Sequence, residues 1–149
     1  MDYNSRRGHD FIGVSAVALV HDGQGNLLLQ KRGLQARDER GAWDFCGGAI
    51  ELGDTIEETI RKELQEELCT IPVDMQFLTA YDAHRLSEGE RTHWVAIVYA
   101  VKVDPATLSI GEPHKISELG WFTAATLPKT LHSQFQKSFA VAARLGIIH

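Results

Sequence analysis

The alternation of apolar and polar positions divides the chain into short strands and two amphipathic helices. Residues 12–20 (IGVSAVALV) are apolar and rich in β-branched side chains, a pattern that predicts a buried strand. Turn-forming residues at 21–26 precede a second apolar run at 27–32, and this order predicts a hairpin. Further apolar runs predict additional strands at 75–83, 92–103 and 119–122.

Two segments instead repeat their apolar residues with helical spacing, 56–68 and roughly 131–145. The second precedes Gly146, and glycine commonly follows the last turn of a helix. Strands on both sides of a central helix, followed by a terminal helix, predict a mixed sheet packed between helices, of the α/β (α+β) class. Because no repeat or linker-like stretch interrupts this order, we expect residues 1–149 to form a single domain.

Composition and charge exclude several classes of function. Hydrophobic residues make up 44% and charged residues 23% of the chain, as in a soluble globular protein. The net charge is −5 and no cluster of basic residues is present, which argues against a nucleic-acid polymer as partner. A small phosphorylated substrate remains compatible, because a divalent cation reverses the local charge. The apolar runs are too short to cross a membrane, and we expect a cytoplasmic protein.

The first helix carries acidic residues in an unusual place. Thr55 and Glu58 form a capping-box pattern, which marks where this helix begins. At about 100° per residue, Ile56, Ile60, Leu64 and Leu68 fall on one apolar stripe, and Glu67 falls within the same arc. Acidic residues on a helix usually form a solvated face, but that explanation fails for Glu67.

Glu67 therefore needs a positive partner to offset the cost of burying its carboxylate. Glu63 lies one turn before it, so the two like charges also repel each other. Lys62 projects to the opposite side of the helix and does not compensate them. A hard divalent cation bound by oxygen atoms would remove both penalties, so the spacing predicts a metal site.

The segment from Gly48 to Thr70 (GAIELGDTIEETIRKELQEELCT) resembles the Nudix box, a signature of the Nudix hydrolases. Its matching positions are Gly48, Glu63, Leu64, Glu66 and Glu67, all in the family's spacing. The chain departs from the pattern at four positions, where it has Asp54, Lys62, Cys69 and Thr70. Asp54 and Lys62 keep the charge signs of a pair that supports this segment in the family.

The resemblance implies an α/β/α sandwich and a hydrolase that depends on Mg²⁺, with Mn²⁺ as a possible substitute. Glu66 and Glu67 are then expected to bind the cation together with a backbone carbonyl of Gly47 or Gly48. Glu63 becomes either a further ligand or the group that orients or deprotonates the attacking water. Some family members use another acidic residue from a distant loop. Here the candidates are Glu112, which we favour, and Glu118, Glu88 and Glu90.

Basic residues outside the box suggest where the substrate binds. Arg32 follows the second strand, near the Gly47–Gly48 turn in the family fold, and is either a phosphate ligand or a surface arginine. Arg37 and Arg40 have the character of solvated loop charges, and Arg37 is the better substrate-binding candidate of the two. His84 and Arg85 are expected in a polar loop after a strand, where members of the family often recognise their substrates.

The substrate class that the resemblance favours is a nucleoside or deoxynucleoside triphosphate, cut to the monophosphate and pyrophosphate. Hydrolysis of ADP-ribose, a nucleotide sugar or coenzyme A is the alternative, and the upstream residues match part of the family's coenzyme A pattern. A non-catalytic nucleotide-binding module is the third hypothesis, which the intact Glu63, Glu66 and Glu67 oppose. The expected partner is a small nucleotide, and a homodimer is possible because many relatives are dimers.

Overall fold

The computed structural model describes residues 6–149 and contains seven strands and two α-helices. The strands are β1 (Gly13–His21), β2 (Leu27–Arg32), β3 (Trp43–Asp44), β4 (Cys46–Ala49), β5 (Asp74–Ser87), β6 (Glu90–Lys102) and β7 (Ile116–Phe122). The helices are α1 (Ile56–Glu63), which continues into a π-helical turn (Leu64–Leu68), and α2 (Phe135–Arg144). None of the helices in this part of the chain is long and apolar enough to cross a membrane.

The seven strands form one mixed sheet, as the sequence predicts. Its main order is β3-β2-β1-β6-β5, with β4 paired to β1 and β7 paired to β2. β1 runs parallel to β6, whereas the other pairings are antiparallel. The predicted hairpin between β1 and β2 is paired only at His21 and Leu27. Beyond that point β1 pairs with β4 and β2 pairs with β3 and β7, which opens space between them for a cleft.

The helices cover opposite faces of the sheet. Ala16, Ala18 and Val20 of β1 pack in one core cluster with Ile60, Leu64 and Leu68 of the first helix. Leu19, on the other face of β1, packs in a second cluster with Phe135 and Ala142 of α2. Successive side chains of a strand point to opposite faces, so one strand serves both clusters. The predicted packing of a mixed sheet between helices is therefore confirmed.

The prediction for residues 84–91 was wrong, because β5 and β6 continue through this polar segment as a long hairpin. Ser87 pairs with Glu90, and the two residues between them form the turn. Glu88 has φ 52° and Gly89 has φ 80°, which is the geometry of a tight type I′ turn. Glu-Gly is a weaker turn signal than Asn-Gly or Asp-Gly, and the polar side chains on one face of the hairpin imitate a loop.

Helix α2 begins at Phe135, four residues later than predicted, because Leu131 and His132 pair with the short strand β3. The backbone amide of His132 donates to the carbonyl of Trp43 over 2.9 Å. The other end agrees with the sequence. Gly146 has φ 77°, and the amide of Ile147 donates to the carbonyl of Ala142 over 3.0 Å, as in a Schellman motif.

The first helix begins with the predicted capping box, in which Thr55 accepts from the amide of Glu58 and the Glu58 carboxylate accepts from the amide of Thr55. It ends in a π-helical turn over Leu64–Leu68, which the sequence does not predict. Cys69 then adopts the left-handed conformation with φ 55°. Glycine usually occupies such a position, because a Cβ makes this conformation costly.

We expect the substitution Cys69→Gly to stabilise the protein. Relief of the left-handed strain outweighs the extra entropy of glycine in the unfolded chain, for a net gain of up to about 1 kcal/mol. Thermal and chemical denaturation of the reduced protein measure the change. The matched control is Gly146→Ala, which places a Cβ in the same conformation at the end of α2 and should lower stability. A lower free energy of unfolding for Cys69→Gly would contradict the explanation by strain.

Candidate active site

The structure buries Glu67, as its place in the apolar stripe predicts. The residue is 8% exposed and lies against β2 and β4. Its Oε2 accepts from Nε2 of Gln30 and from Sγ of Cys46, each over 3.1 Å. Burial raises the pKa of Glu67, and these two hydrogen bonds oppose the rise. Burial also raises the pKa of the Cys46 thiol, which keeps its proton available for donation.

Glu63 lies directly beside Gly48, the first residue of the box. A Cβ at position 48 would collide with the Glu63 carboxylate, so glycine is needed for this approach. Burial, followed by the charges of Glu67, Glu66 and Glu112 in that order, raises the pKa of Glu63 to about 7. The site thus gathers more negative charge than its own neighbours neutralise.

Glu66 is exposed on the π-helical turn, while Glu112 approaches the same region from a loop before β7. The amide of Gly111 donates to the carbonyl of Glu67 over 2.9 Å, which attaches the loop to the helix. A Cβ on Gly111 would collide with the carbonyl oxygen of Glu66. Glycine at 111 therefore lets the loop carry Glu112 close enough to raise the pKa of both Glu63 and Glu67.

The other acidic candidates lie in different surroundings. Glu88 is exposed at the tip of the β5–β6 hairpin. Glu90 pairs with Arg6 and His9, each over 3.0 Å. Glu118 is exposed on β7 and pairs in register with Lys31 of β2. Only Glu112 among the four contributes to the pKa shifts of Glu63 and Glu67.

The charge pair implied at Asp54 and Lys62 does not form. Both side chains are exposed, and within residues 6–149 neither takes part in an ion pair at 4 Å or less. The amide of Asp54 instead donates to the carbonyl of Glu51 over 3.0 Å, which closes the turn before α1. The capping box and the apolar stripe of α1 hold this segment without the charge pair.

A cleft of about 550 Å³ opens beside the carboxylates and is lined by Gly47, Gly48 and Glu67 at its acidic end. Arg32 lines the same cleft, but its guanidinium is already bound within the protein. Its Nε and Nη2 donate to the backbone oxygen and carboxylate of Asp38 over 2.8 and 2.7 Å. Asp44 lies 3.6 Å from Nη1. Arg32 is thus not a solvated surface arginine, and its guanidinium is held by Asp38 and Asp44 within the cleft.

The remaining substrate-side candidates separate into two groups. Arg85 lines the cleft, and its Nη1 lies 2.6 Å from Glu39 and 3.2 Å from Asp38. Arg37 lines the cleft with an exposed side chain. His84 lies in β5 next to Arg85, contrary to the expected loop, and it is not part of the cleft wall. Because side chains alternate along a strand, Arg85 and His84 point to opposite faces.

Several residues of the cleft were missed by sequence reasoning. Gln30 and Cys46 are neutral, so no charge pattern marks them as partners of Glu67. Asp38 and Glu39 resemble ordinary loop acids, yet Glu39 accepts from Ser133 and lies 2.8 Å from His132. The available signals were weak. The main one is the cluster of charges at 37–40. Other lining residues come from the amino-terminal segment, namely Arg6, Arg7 and His9.

Comparison with known proteins places this geometry in a family. The family model described as the NUDIX domain matches residues 12–142. A protein named ADP-ribose pyrophosphatase from Methanocaldococcus jannaschii is 30% identical over 114 residues, which cover 76% of this chain and 64% of that protein. A protein named CTP pyrophosphohydrolase from Escherichia coli K12 is 34% identical over 55 residues, which cover 37% of this chain and 40% of that protein. The chain thus spans less than two thirds of both relatives.

A solved structure supports the same grouping. The crystal structure of a MutT NUDIX hydrolase from Burkholderia pseudomallei superposes with a TM-score of 0.77. The match has 28% sequence identity and covers 87% of this chain and 96% of that one. The mixed sheet between two helices is therefore the fold of that protein as well.

Proposed function

The chain belongs to the NUDIX domain family, and on that basis we propose that it is a divalent-cation-dependent hydrolase of a phosphoanhydride bond. The observation that carries the proposal is the meeting of Glu63, Glu67 and Glu112 beside Gly48, at one end of a cleft that arginines also line. Carboxylates and guanidinium groups in one cleft complement a phosphorylated substrate and its cation.

The donor set fits a hard cation such as Mg²⁺. The charged donors are all carboxylates, and burial together with the charges of Glu67, Glu66 and Glu112 raises the pKa of Glu63. We assign the cation to Glu63, Glu66 and Glu67, with a carbonyl of Gly47 or Gly48 and with Glu112 as the ligand from outside the box. Bound there, the cation would neutralise the phosphates and lower the pKa of the attacking water.

The protein's own residues would position the reacting groups. Glu63 is half-buried beside Gly48 and is the group that we assign to orient the water, or to accept its proton. Arg32, Arg37 and Arg85 would bind the phosphates, and the bidentate guanidinium suits that task. Arg32 and Arg85 would then exchange Asp38 and Glu39 for phosphate oxygens, whereas Arg37 is available without such an exchange.

For the substrate we propose a nucleoside or deoxynucleoside triphosphate, hydrolysed to the monophosphate and pyrophosphate. A relative named CTP pyrophosphohydrolase supports this class. Tyr81 and Trp94 in the cleft wall offer aromatic surface for a base. ADP-ribose is the second candidate, because the relative named ADP-ribose pyrophosphatase matches more of this chain.

A substrate panel with identification of both products tests the proposal. The purified protein with Mg²⁺ is offered nucleoside triphosphates, ADP-ribose, nucleotide sugars and coenzyme A, and the products are separated by anion exchange. We expect a nucleoside monophosphate and pyrophosphate from one or more triphosphates. Release of AMP and ribose phosphate from ADP-ribose at a higher kcat/KM would replace the proposed substrate. The hydrolase proposal would be refuted if the parent hydrolysed no substrate of the panel faster than the Glu67→Gln variant does.

Arg32 provides a separate prediction about the phosphate end of the cleft. If Arg32 binds phosphate, Arg32→Ala should raise KM at least about tenfold, because removal of a hydrogen bond to a charged group costs about 1.5–3 kcal/mol. Arg32→Lys should restore only part of the loss, since lysine lacks the bidentate fork. The matched control is Arg40→Ala, whose side chain is exposed and donates to the carbonyl of Ala36. Unchanged kinetics for Arg32→Ala would make Arg32 a structural partner of Asp38 alone.

A further inference from the structure

The β5–β6 hairpin carries a second group of metal-ligating side chains on the face opposite the cleft. His84 and His93 stand directly across from each other in the antiparallel register. Asp82 precedes His84 by two residues and therefore lies on the same face of β5. Arg85 and Ala83, which line the cleft, alternate with them on the inner face.

The three side chains are close enough to share one ion. One ligand atom from each of Asp82, His84 and His93 can be chosen so that all lie within 4.8 Å of one another. The imidazole rings of His84 and His93 have centroids 4.2 Å apart, and Nε2 of His93 lies 2.8 Å from Oδ1 of Asp82. Bond lengths of 2.0–2.1 Å in a tetrahedral zinc site place neighbouring ligands roughly 3.3 Å apart. Small side-chain rotations reach that spacing.

We propose that Asp82, His84 and His93 form a surface site for a zinc-like transition-metal ion, separate from the carboxylates beside Gly48. Two imidazoles and one carboxylate are ligands that Zn²⁺, Ni²⁺ and Cu²⁺ bind, whereas Mg²⁺ prefers an all-oxygen site. Solvent completes the coordination, because Asp82 and His84 are exposed. Binding replaces the hydrogen bond between His93 and Asp82 and releases any proton held there to the buffer.

The proposed site lies close to the cleft wall. An ion that bridges His84 and His93 would link β5 to β6 next to Arg85, on the opposite face of the sheet. Lys137 of α2 brings a positive charge to this part of β5, and its Nζ donates to the carbonyl of Asp82 over 2.9 Å. That ammonium lies 5.0 Å from the centroid of the Tyr81 ring, so it is held by contacts other than the Asp82 carboxylate.

Titration with Co²⁺ in saturating Mg²⁺ tests the site, because Co²⁺ replaces Zn²⁺ and its visible absorption strengthens when nitrogen ligands bind in four-coordinate geometry. We expect the intact protein to bind Co²⁺ with such a spectrum, and Zn²⁺ to displace it. His84→Ala and His93→Ala should each weaken Co²⁺ binding by more than ~10-fold. Loss of a residue that only supports a metal ligand already costs about that much affinity, and these two residues are proposed as direct ligands. His114→Ala, an exposed loop histidine outside the group, should bind as the parent does.

Two further variants keep the result unambiguous. Asp82→Asn changes one exposed ligand without removing side-chain volume and should also weaken binding. Glu67→Gln should leave the Co²⁺ spectrum intact, because Glu67 is not one of the three proposed ligands. The proposal is overturned if no such spectrum develops at millimolar Co²⁺. It is equally overturned if His84→Ala binds like the parent, or if Glu67→Gln abolishes the signal.

Discussion

Replacement of Glu67 by glutamine is expected to reduce kcat by at least about 100-fold while the metal-free protein melts at the parent's temperature or above it. The loss of rate follows from removing an anionic oxygen ligand where the proposed cation binds. Loss of an outer-shell partner alone typically costs 10–100-fold, so loss of a direct ligand should cost more. The substitution keeps the shape of the side chain and changes its charge.

The expected gain in stability has a different origin. In the metal-free protein the Glu67 carboxylate is 8% exposed, and burial raises its pKa. The amide oxygen of glutamine can still accept from Gln30 and Cys46, so the two hydrogen bonds are retained. Removing the charge also ends its repulsion of Glu63. Together these changes are worth about 1 kcal/mol in favour of the variant.

Initial rates at saturating Mg²⁺ and melting temperatures in chelator test both halves of this prediction. The matched control is Glu57→Gln on the exposed first turn of α1, which should keep its rate. It should lose at most a small favourable interaction with the helix N-terminus. A Glu67→Gln variant that melts well below the parent yet keeps its rate would identify Glu67 as a structural anchor, and our metal assignment for it would be wrong.

Removal of divalent cations is expected to abolish turnover completely and reversibly. The carboxylates and the substrate phosphates are both anionic, so without a cation they repel each other at the point where the bond must break. Activity should return when Mg²⁺ is added in excess of the chelator, and Mn²⁺ should also restore it. The measurement is the initial rate in chelator before and after each addition. Full activity in excess chelator would eliminate the metal-dependent mechanism.

The same carboxylates predict how the metal-free protein responds to pH. The folded state raises the pKa of Glu63 from 4.5 to about 7, so within this interval it holds more protons than the unfolded chain. Its contribution to the free energy of unfolding is therefore largest below pH 4.5 and is lost as the pH rises to about 7. Chemical denaturation at several pH values measures this slope. Excess Mg²⁺ should reduce the dependence of stability on pH. An unchanged dependence would show that Glu63 does not bind the cation.

Local patterns in the sequence were sufficient for the elements and for the acidic helix. The apolar repeat and the capping box predicted where the first helix begins, and the structure confirms both. The helical wheel predicted that Glu67 is buried and that Lys62 is exposed. The spacing of the box indicated the family, and the family model that matches residues 12–142 confirms it. These features depend on contacts between residues that are close in the sequence, so the spacing of residue types predicts them directly.

Only the tertiary structure decided what surrounds those residues. Gln30 and Cys46 reach Glu67 from other strands, and Asp38 binds both Arg32 and Arg85 although the two arginines are far apart in the chain. His84 and Arg85 were separated into two sites by the long β5–β6 hairpin, which a weak turn signal concealed. Such contacts depend on strand order and register, and these are set by the packing of the whole core. No local spacing records which distant residue a side chain will meet.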